Sequence, residues 1–350
     1  MSKQNISRRT IMKGGAALAG TLALGKLGDS FGAKPKERPT LVVFWLNGGP
    51  AGLFNSANSF LRSGAFGVTE RNVSDLGNGL FVDTGSFGSL PLAARSHMSS
   101  INFRHGILRP HDHARAAVLQ TGTRSQLLRL ASLMPEAPIR CALVNDLGFP
   151  VGVSANPPAE GVVSLERVVE IAGAAPKVSA AKLKEVQTTY GMAHDQTSIK
   201  DQRSTFAAVE LLVHAGANVI FAQPAYTGRT DRQFDTHGDD TGVASREVMR
   251  PITPSLNMFL DRTLAMRGRN VVTLLVGEFS RTIPKSDHEP GGTATVIGKY
   301  VKTGTAGPQN ADGSPPENAP QTEALWAYVA DALGVKTTSF GHNPNPELIV

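Results

Sequence analysis

Four short apolar runs, set between longer helical patterns, constrain this chain more than any other feature. They fall at 41–46, 139–144, 218–222 and 271–276. Each is too short for a buried helix and shows no polar alternation, so each reads as a strand covered on both faces. Helical periodicity fills the intervals: a short helix over 114–120, patterns near 163–172, 178–188 and 200–215, a long one over 243–267 with interruptions expected at Pro251 and Pro254, and a last one over 321–333. Strands alternating with helices predict an α/β fold, a mostly parallel sheet with helices on both faces. Residues 55–90 and 303–320 are rich in Gly, Pro, Ser and Asn and read as irregular. Ligands of such sheets gather beyond the C-terminal strand ends. Three of the runs lead into polar clusters there: Asn47-Gly48-Gly49 after the first, Asp235 and His237 after 218–222, and Glu278 and Arg281 after 271–276.

With 41% hydrophobic and 18% charged residues, the 350-residue chain is neither disordered nor fibrous. The formal charge of +6 is misleading, because residues 1–33 carry a net +4 and leave +2 for 34–350. A near-neutral body offers no electrostatic footprint for nucleic acid. The lone Cys141 excludes an intramolecular disulfide and paired-cysteine metal motifs, and its apolar neighbours mark it as a core thiol. Phe44, Trp45 and Trp326 also read as core.

Residues 7–13 read Ser-Arg-Arg-Thr-Ile-Met-Lys, and a weakly apolar stretch from Gly14 to Gly25 follows. This resembles a twin-arginine export signal, with Ile11 in the aromatic slot. The stretch is too short for a stable membrane-spanning helix, and no later run approaches the length of one. The expected organisation is therefore a signal peptide over 1–33, cleaved before Ala33 or kept as a tether, and a single domain over 34–350. The resemblance implies the twin-arginine machinery as a partner and export of the folded chain to the periplasm or beyond. That route suits proteins loaded with a metal or cofactor beforehand.

Carboxylates and imidazoles gather in four clusters: His105 with His111, Asp112 and His113; Asp235-Thr236-His237; Glu278 with Arg281; and Asp287-His288. Such groups are the ligands that zinc or manganese selects. An arginine beside them suits an anionic substrate, because guanidinium grips phosphate or sulfate oxygens in pairs. Structural readings stand beside these. Asp112 can cap a helix, Asp235-Thr236-His237 can be a capping turn, Glu278 and Arg281 can form a structural ion pair, and Asp287-His288 can be an exposed turn. Five of the nine histidines fall in these clusters, which favours one shared polar site.

In order and spacing the same motifs resemble the twin-arginine-exported proteins of domain-of-unknown-function family 1501, relatives of the alkaline phosphatase and sulfatase superfamily. The resemblance rests on Arg8-Arg9, the strand and turn over 41–49, His111 through Gly122, Phe234-Asp235-Thr236-His237-Gly238-Asp239, Glu278-Phe279-Ser280-Arg281-Thr282 and Asp287-His288. It implies an alkaline phosphatase-like core. It also implies a divalent metal, zinc, manganese or similar, on Asp235, His237, Glu278, Asp287 and His288, with Arg281 near the substrate anion. Two departures stand out. No carboxylate follows the Gly48-Gly49 turn until Glu70, leaving Asn55 as a weak substitute. The position of the superfamily's nucleophile falls on Asp112, between His111 and His113, with no Ser, Thr or Cys there.

Two functions are therefore expected as alternatives. One is a metal-dependent hydrolase of a phosphate or sulfate ester, of a small molecule or a glycan, with His111, Asp112, His113 and Arg281 as catalytic candidates. The other is an exported non-catalytic relative that binds a ligand or partner on the same scaffold. The export reading has its own test. Replacing Arg8 and Arg9 together by lysine should leave the chain in the cytoplasm, and cell fractionation followed by immunoblotting reads the result; undiminished periplasmic protein would refute the signal.

Overall fold

The computed structural model describes residues 37–145, 159–173, 178–224 and 234–350. The signal segment over 1–33 lies outside the described residues. The main sheet has eight strands, numbered in chain order: β1 (Arg38–Trp45), β2 (Met98–Arg104), β3 (Cys141–Val144), β4 (Glu160–Val162), β5 (Val219–Ala222), β6 (Arg269–Val276), β7 (Gly291–Ile297) and β8 (Gly304–Thr305). Their spatial order is β8-β2-β7-β6-β1-β5-β3-β4. The run from β6 to β4 is parallel throughout. Only β7 runs against its neighbours β6 and β2, and β8 is parallel to β2. This is the expected α/β class, a mixed sheet of mostly parallel strands.

Besides the short turn Leu92–Arg95, the helices are α1 (His111–Leu119), α2 (Gln126–Leu133), α3 (Leu165–Ala172), α4 (Ala180–Thr189), α5 (Gln202–Ala215), α6 (Val243–Leu264) and α7 (Thr322–Leu333). They cover both faces of the sheet because β1 alternates between two cores. Val42, Phe44 and Leu46 face α5 and α6, and the Phe44 ring lies 4.5 Å from Phe206 and 5.4 Å from Phe259. Leu41, Val43 and Trp45 face α2 and α7, through Leu127, Leu130, Leu325 and Val329. Each such side chain, fully buried, contributes about 1.5–3 kcal/mol. Phe44, Trp45 and Trp326 are fully buried, as their sequence setting suggests, and the Trp326 indole donates to the Val118 carbonyl. Burial pushes the Cys141 thiol up to about 12, which makes it inert at neutral pH. Among the described residues, no helix is long and apolar enough to cross a membrane.

Three features differ from the sequence reading. Strands β2 and β7 were not expected, because their buried positions include Ser99, Ser100, Asn102, Thr293 and Thr295. Side-chain hydrogen bonds to groups outside the two strands make most of those side chains tolerable: Ser99 meets the Tyr328 hydroxyl, Asn102 donates to the Pro308 carbonyl, and Thr293 and Thr295 meet the Asn55 amide. Helix α6 runs unbroken through Pro251 and Pro254. Both prolines sit on its exposed side, one turn apart, where water can take the freed carbonyls. Helix α1 starts at His111 rather than 114, so the three histidine-cluster residues form its first turn.

Away from the strand ends, Glu210 of α5 is a fully buried carboxylate. Burial works to raise its pKa, but hydrogen bonds from His214, Arg262 and Tyr190 outweigh it and hold the group below its ordinary value. The Arg262 Nε lies 2.7 Å from Oε1 and the Tyr190 hydroxyl 2.8 Å from Oε2. Replacing Arg262 by Ala leaves that charge without its cation, which should cost about 3 kcal/mol in urea unfolding. A depressed folded pKa contributes stability that is present above the ordinary carboxylate pKa and lost as pH falls below it. The wild-type chain should therefore lose its margin over Arg262→Ala as pH drops below about 4.5. Equal stability of the two at pH 7 would refute the network's role.

Candidate metal centre

The strand ends build the centre from separate stretches of chain. β1 runs into Asn47-Gly48-Gly49, β6 into Gly277-Glu278, and β2 into His105. Asp235 follows the connection that leaves β5. A small antiparallel ribbon pairs Ser280 with Glu289 and Arg281 with His288, just ahead of β7. All of these lie at the C-terminal edge of the parallel strands.

The glycine turn is what lets the stretches meet. Gly48 and Gly49 have φ of +95° and +82°. A Cβ on Gly48 would lie 2.3 Å from the Asp235 amide nitrogen, and one on Gly49 would lie 2.2 Å from the Phe279 carbonyl oxygen. Only glycine fits both the backbone angle and the gap. Backbone bonds fix the neighbours. The Phe234 amide donates to the Asn47 carbonyl, and the Gly48 amide donates to Glu278 Oε1 at 2.9 Å. The following turn is pinned to α6, where the Asp239 carboxylate accepts from the amides of Ala244 and Ser245 and from the Ser245 hydroxyl. That carboxylate satisfies amides at the positive end of the helix.

Asp235 is the hub. Its Oδ1 lies 2.8 Å from Arg281 Nη2, 3.0 Å from His237 Nε2 and 3.1 Å from His288 Nε2; its Oδ2 lies 3.6 Å from His111 Nε2. Burial alone would raise its pKa, but His111, His288 and Arg281 together hold the carboxyl far below the ordinary carboxylate range. His111 is drawn the other way. Asp235 first, then Glu278, push it up to about 9. His237 is lowered, mainly by burial. The Asp287 carboxyl is lowered mainly by the His288 amide, which donates to its Oδ1.

Two carboxylates take different parts. Glu278 is fully buried, and its Oε1 lies 2.8 Å from His111 Nδ1. A hydrogen bond there leaves His111 Nε2 facing Asp235, the carboxylate–histidine pairing that orients a metal-binding imidazole. His105 steadies the same residue from behind. Its Nδ1 accepts the Ile107 amide, so Nε2 donates to the Glu278 carbonyl, 2.6 Å away. Phe279 stacks flat on His288 at 4.1 Å and fixes the plane of that ring.

The donor set fits a divalent cation. Ligand atoms about 2.1 Å from a shared tetrahedral ion stand about 3.4 Å apart, and the Asp235 contacts with His111 and His288 bracket that spacing. Donor atoms of His111, Asp235 and His288 all lie within 4.8 Å of one another, and so do those of His237, Asp287 and His288. The two triplets share His288. A neutral imidazole offers one lone pair, so His288 can complete one triplet at a time. Asp235 keeps lone pairs beyond those that Arg281 occupies.

Of the residues singled out in the sequence, the structure thus gathers His111, Asp235, His237, Asp287 and His288. Glu278 falls outside both triplets and sits behind His111 instead. Arg281 is fully buried and spends its guanidinium on Asp235 and on the carbonyls of Gly48, Gly49 and Ser286. It meets the protein there, not solvent, and its burial lowers its pKa against the pull of Asp235. Asp112 and His113 are exposed on the outer side of α1, and neither belongs to the triplets. Asp112 does not cap the helix either; Pro110 holds that position. Asn55 is committed elsewhere, since its side chain exchanges hydrogen bonds with Thr293 and Thr295 of β7. His105 and Phe279 act behind the donors. The His105 side chain was visible in the sequence, but its role depends on the fold.

No known family profile matches the chain, and none of the curated proteins matches it in sequence. Among solved structures, it is similar to the integral membrane lipooligosaccharide phosphoethanolamine transferase A (EptA) of Neisseria meningitidis, with 10% identity over 88% of this chain and 57% of that one and a TM-score of 0.41. The chain therefore spans little more than half the length of that transferase. The soluble domain of the same transferase gives 11% identity over 87% of this chain and 90% of that one, with a TM-score of 0.42. The phosphonate monoester hydrolase SpPMH of Silicibacter pomeroyi gives 10% identity over 89% and 76%, with a TM-score of 0.39. Likenesses of that size pass no activity to this chain, and its own side chains carry the chemistry.

The close approach at the glycine turn can be separated from the cost of the left-handed backbone. Gly122 has φ +59° and open space around its Cβ position. Gly122→Ala should cost about 1 kcal/mol and Gly48→Ala about 3 kcal/mol or more, because only the second forces backbone apart. Denaturant unfolding checks the difference; equal costs would show that Gly48 is needed for its φ alone.

Proposed function

We propose that the chain is a divalent-cation-dependent hydrolase of phosphate or sulfate esters, built on an alkaline phosphatase-like core of the kind found in domain-of-unknown-function family 1501. The observation that carries this reading is the convergence of His111, Asp235 and His288, from three separate stretches of chain, at metal-ligand spacing. When bound, a divalent cation polarises an ester oxygen and makes water a better nucleophile at neutral pH. The chain's own residues do the rest. Asp235 supplies the central anionic ligand and Arg281 holds it in place. Glu278 turns the His111 imidazole so that Nε2 faces Asp235. Phe279 holds the plane of His288. His237, nearly half exposed, reaches from solvent to Asp235 and can move a proton at the mouth of the centre.

At the position that the family resemblance gives the nucleophile, the sequence has Asp112 between His111 and His113, and no serine, threonine or cysteine. Within this reading, water is the attacking group rather than a protein hydroxyl or thiol. The same observation favours a second reading, in which the centre binds cation and anion without turnover. The Arg8-Arg9 motif supports folded export to the periplasm, with the cation loaded before transit.

Metal analysis of the purified chain, followed by assay on nitrophenyl phosphate and nitrophenyl sulfate, separates the two readings. The hydrolase reading expects about one equivalent of zinc or manganese and measurable turnover. Asp235→Ala should lose both by at least tenfold, consistent with removal of a ligand. Bound metal without turnover on either ester class would favour the binding protein, and a chain that takes up no divalent cation would refute both.

A further inference from the structure

The residue that grips the ligand's anionic group is the point at which the sequence and the structure part most clearly. The sequence suggests Arg281, but its guanidinium is fully buried and committed to Asp235 and three carbonyls. A ligand cannot reach it without dismantling the Gly48-Gly49 turn. A second guanidinium stands at the mouth of the same centre. Arg109 lies in the segment leading into α1, two residues before His111, and its side chain is 76% exposed. Its Nη2 lies 3.9 Å from Asp287 Oδ2. That is an ion pair beyond hydrogen-bond reach, and Arg109 makes no hydrogen bond to the described residues. Its N–H donors are therefore open.

The position suits an oxyanion. Asp287 Oδ1 lies 3.6 Å from His237 Nδ1, and His237 Nε2 lies 3.0 Å from Asp235 Oδ1. Arg109 thus stands one carboxylate away from the metal-ligand set. A tetrahedral oxyanion bound at a cation there projects its remaining oxygens toward solvent, the side on which the exposed Arg109 guanidinium stands. The Asp287 carboxylate holds Arg109 near the mouth electrostatically without consuming its donors.

We propose that Arg109, steered by Asp287, is the anion-binding residue of this centre, gripping the phosphoryl or sulfuryl oxygens that project from the cation toward solvent. The proposal rests on the metal-centre reading above. Arg281 is the positioning residue, acting only through Asp235.

Titration calorimetry on the full-length protein tests it, first with zinc or manganese and then with inorganic phosphate and inorganic sulfate added to the loaded protein. Wild-type, Arg109→Ala and Arg109→Lys chains are compared. Arg109→Ala should bind the metal within about threefold of wild type, since arginine is no ligand, and should weaken phosphate and sulfate binding by about tenfold or more. Arg109→Lys should recover only part of that loss, because a point charge lacks the paired donors. Unfolding midpoints should agree between wild type and variants, as expected at an exposed side chain. If the metal binds and Arg109→Ala holds phosphate and sulfate as tightly as wild type, the assignment of Arg109 is overturned while the metal centre stands. If no chain takes up the cation, the centre itself is refuted and the assignment falls with it.

Discussion

The buried contact between Arg281 and Asp235 holds this strand-end architecture together. One guanidinium joins the turn after β1, the ribbon after β6 and the segment that follows β5. Without it the Asp235 carboxylate would sit among three imidazoles with nothing to fix its direction. With it, the oxygens point to where histidines from α1 and from the ribbon can meet them. Removing either partner of a buried pair leaves an uncompensated charge and costs several kcal/mol. Stability and site geometry are therefore linked at this point, and the glycine turn that admits the guanidinium is part of the same device.

The centre has a layered logic. Donor atoms lie in front, on Asp235, His111 and His288. Behind them lie groups that brace the donors: Glu278 behind His111, His105 behind Glu278, Phe279 behind His288 and Arg281 behind Asp235. Each supporting group limits the rotation or tautomer of the one in front. A set of side chains held this firmly from behind is preorganised for a cation, and the histidines and Asp235 supply the ligand chemistry that zinc or manganese selects.

Much of the fold was legible in the sequence because β1, β3, β5 and β6 are apolar on both faces, and such runs have few other readings. Strands β2 and β7 are hidden in the sequence because their polar side chains find partners outside the two strands, Ser99 on Tyr328, Asn102 on the carbonyls of Gly307 and Pro308, and Thr293 and Thr295 on Asn55, which no local pattern announces. The unbroken α6 was hidden by prolines whose exposed placement is a tertiary fact. At the site, the strand-end rule pointed to Asp235 and His237 and to Glu278 and Arg281, and residue type alone added Asp287 and His288. The division of labour did not follow from composition. Arg281 looked like an anion grip and is buried, Glu278 looked like a ligand and stands behind His111 instead, and Asp112 and His113 point outward because α1 starts a turn earlier than its apolar pattern suggests.

The proposed hydrolase requires one divalent cation among His111, Asp235 and His288. Anomalous X-ray scattering from crystals grown with zinc or manganese tests it most directly. A peak is expected at the metal's absorption edge about 2 Å from His111 Nε2, an Asp235 oxygen and a His288 nitrogen. A map with no peak there, or with the metal bound only to exposed surface side chains, would contradict it.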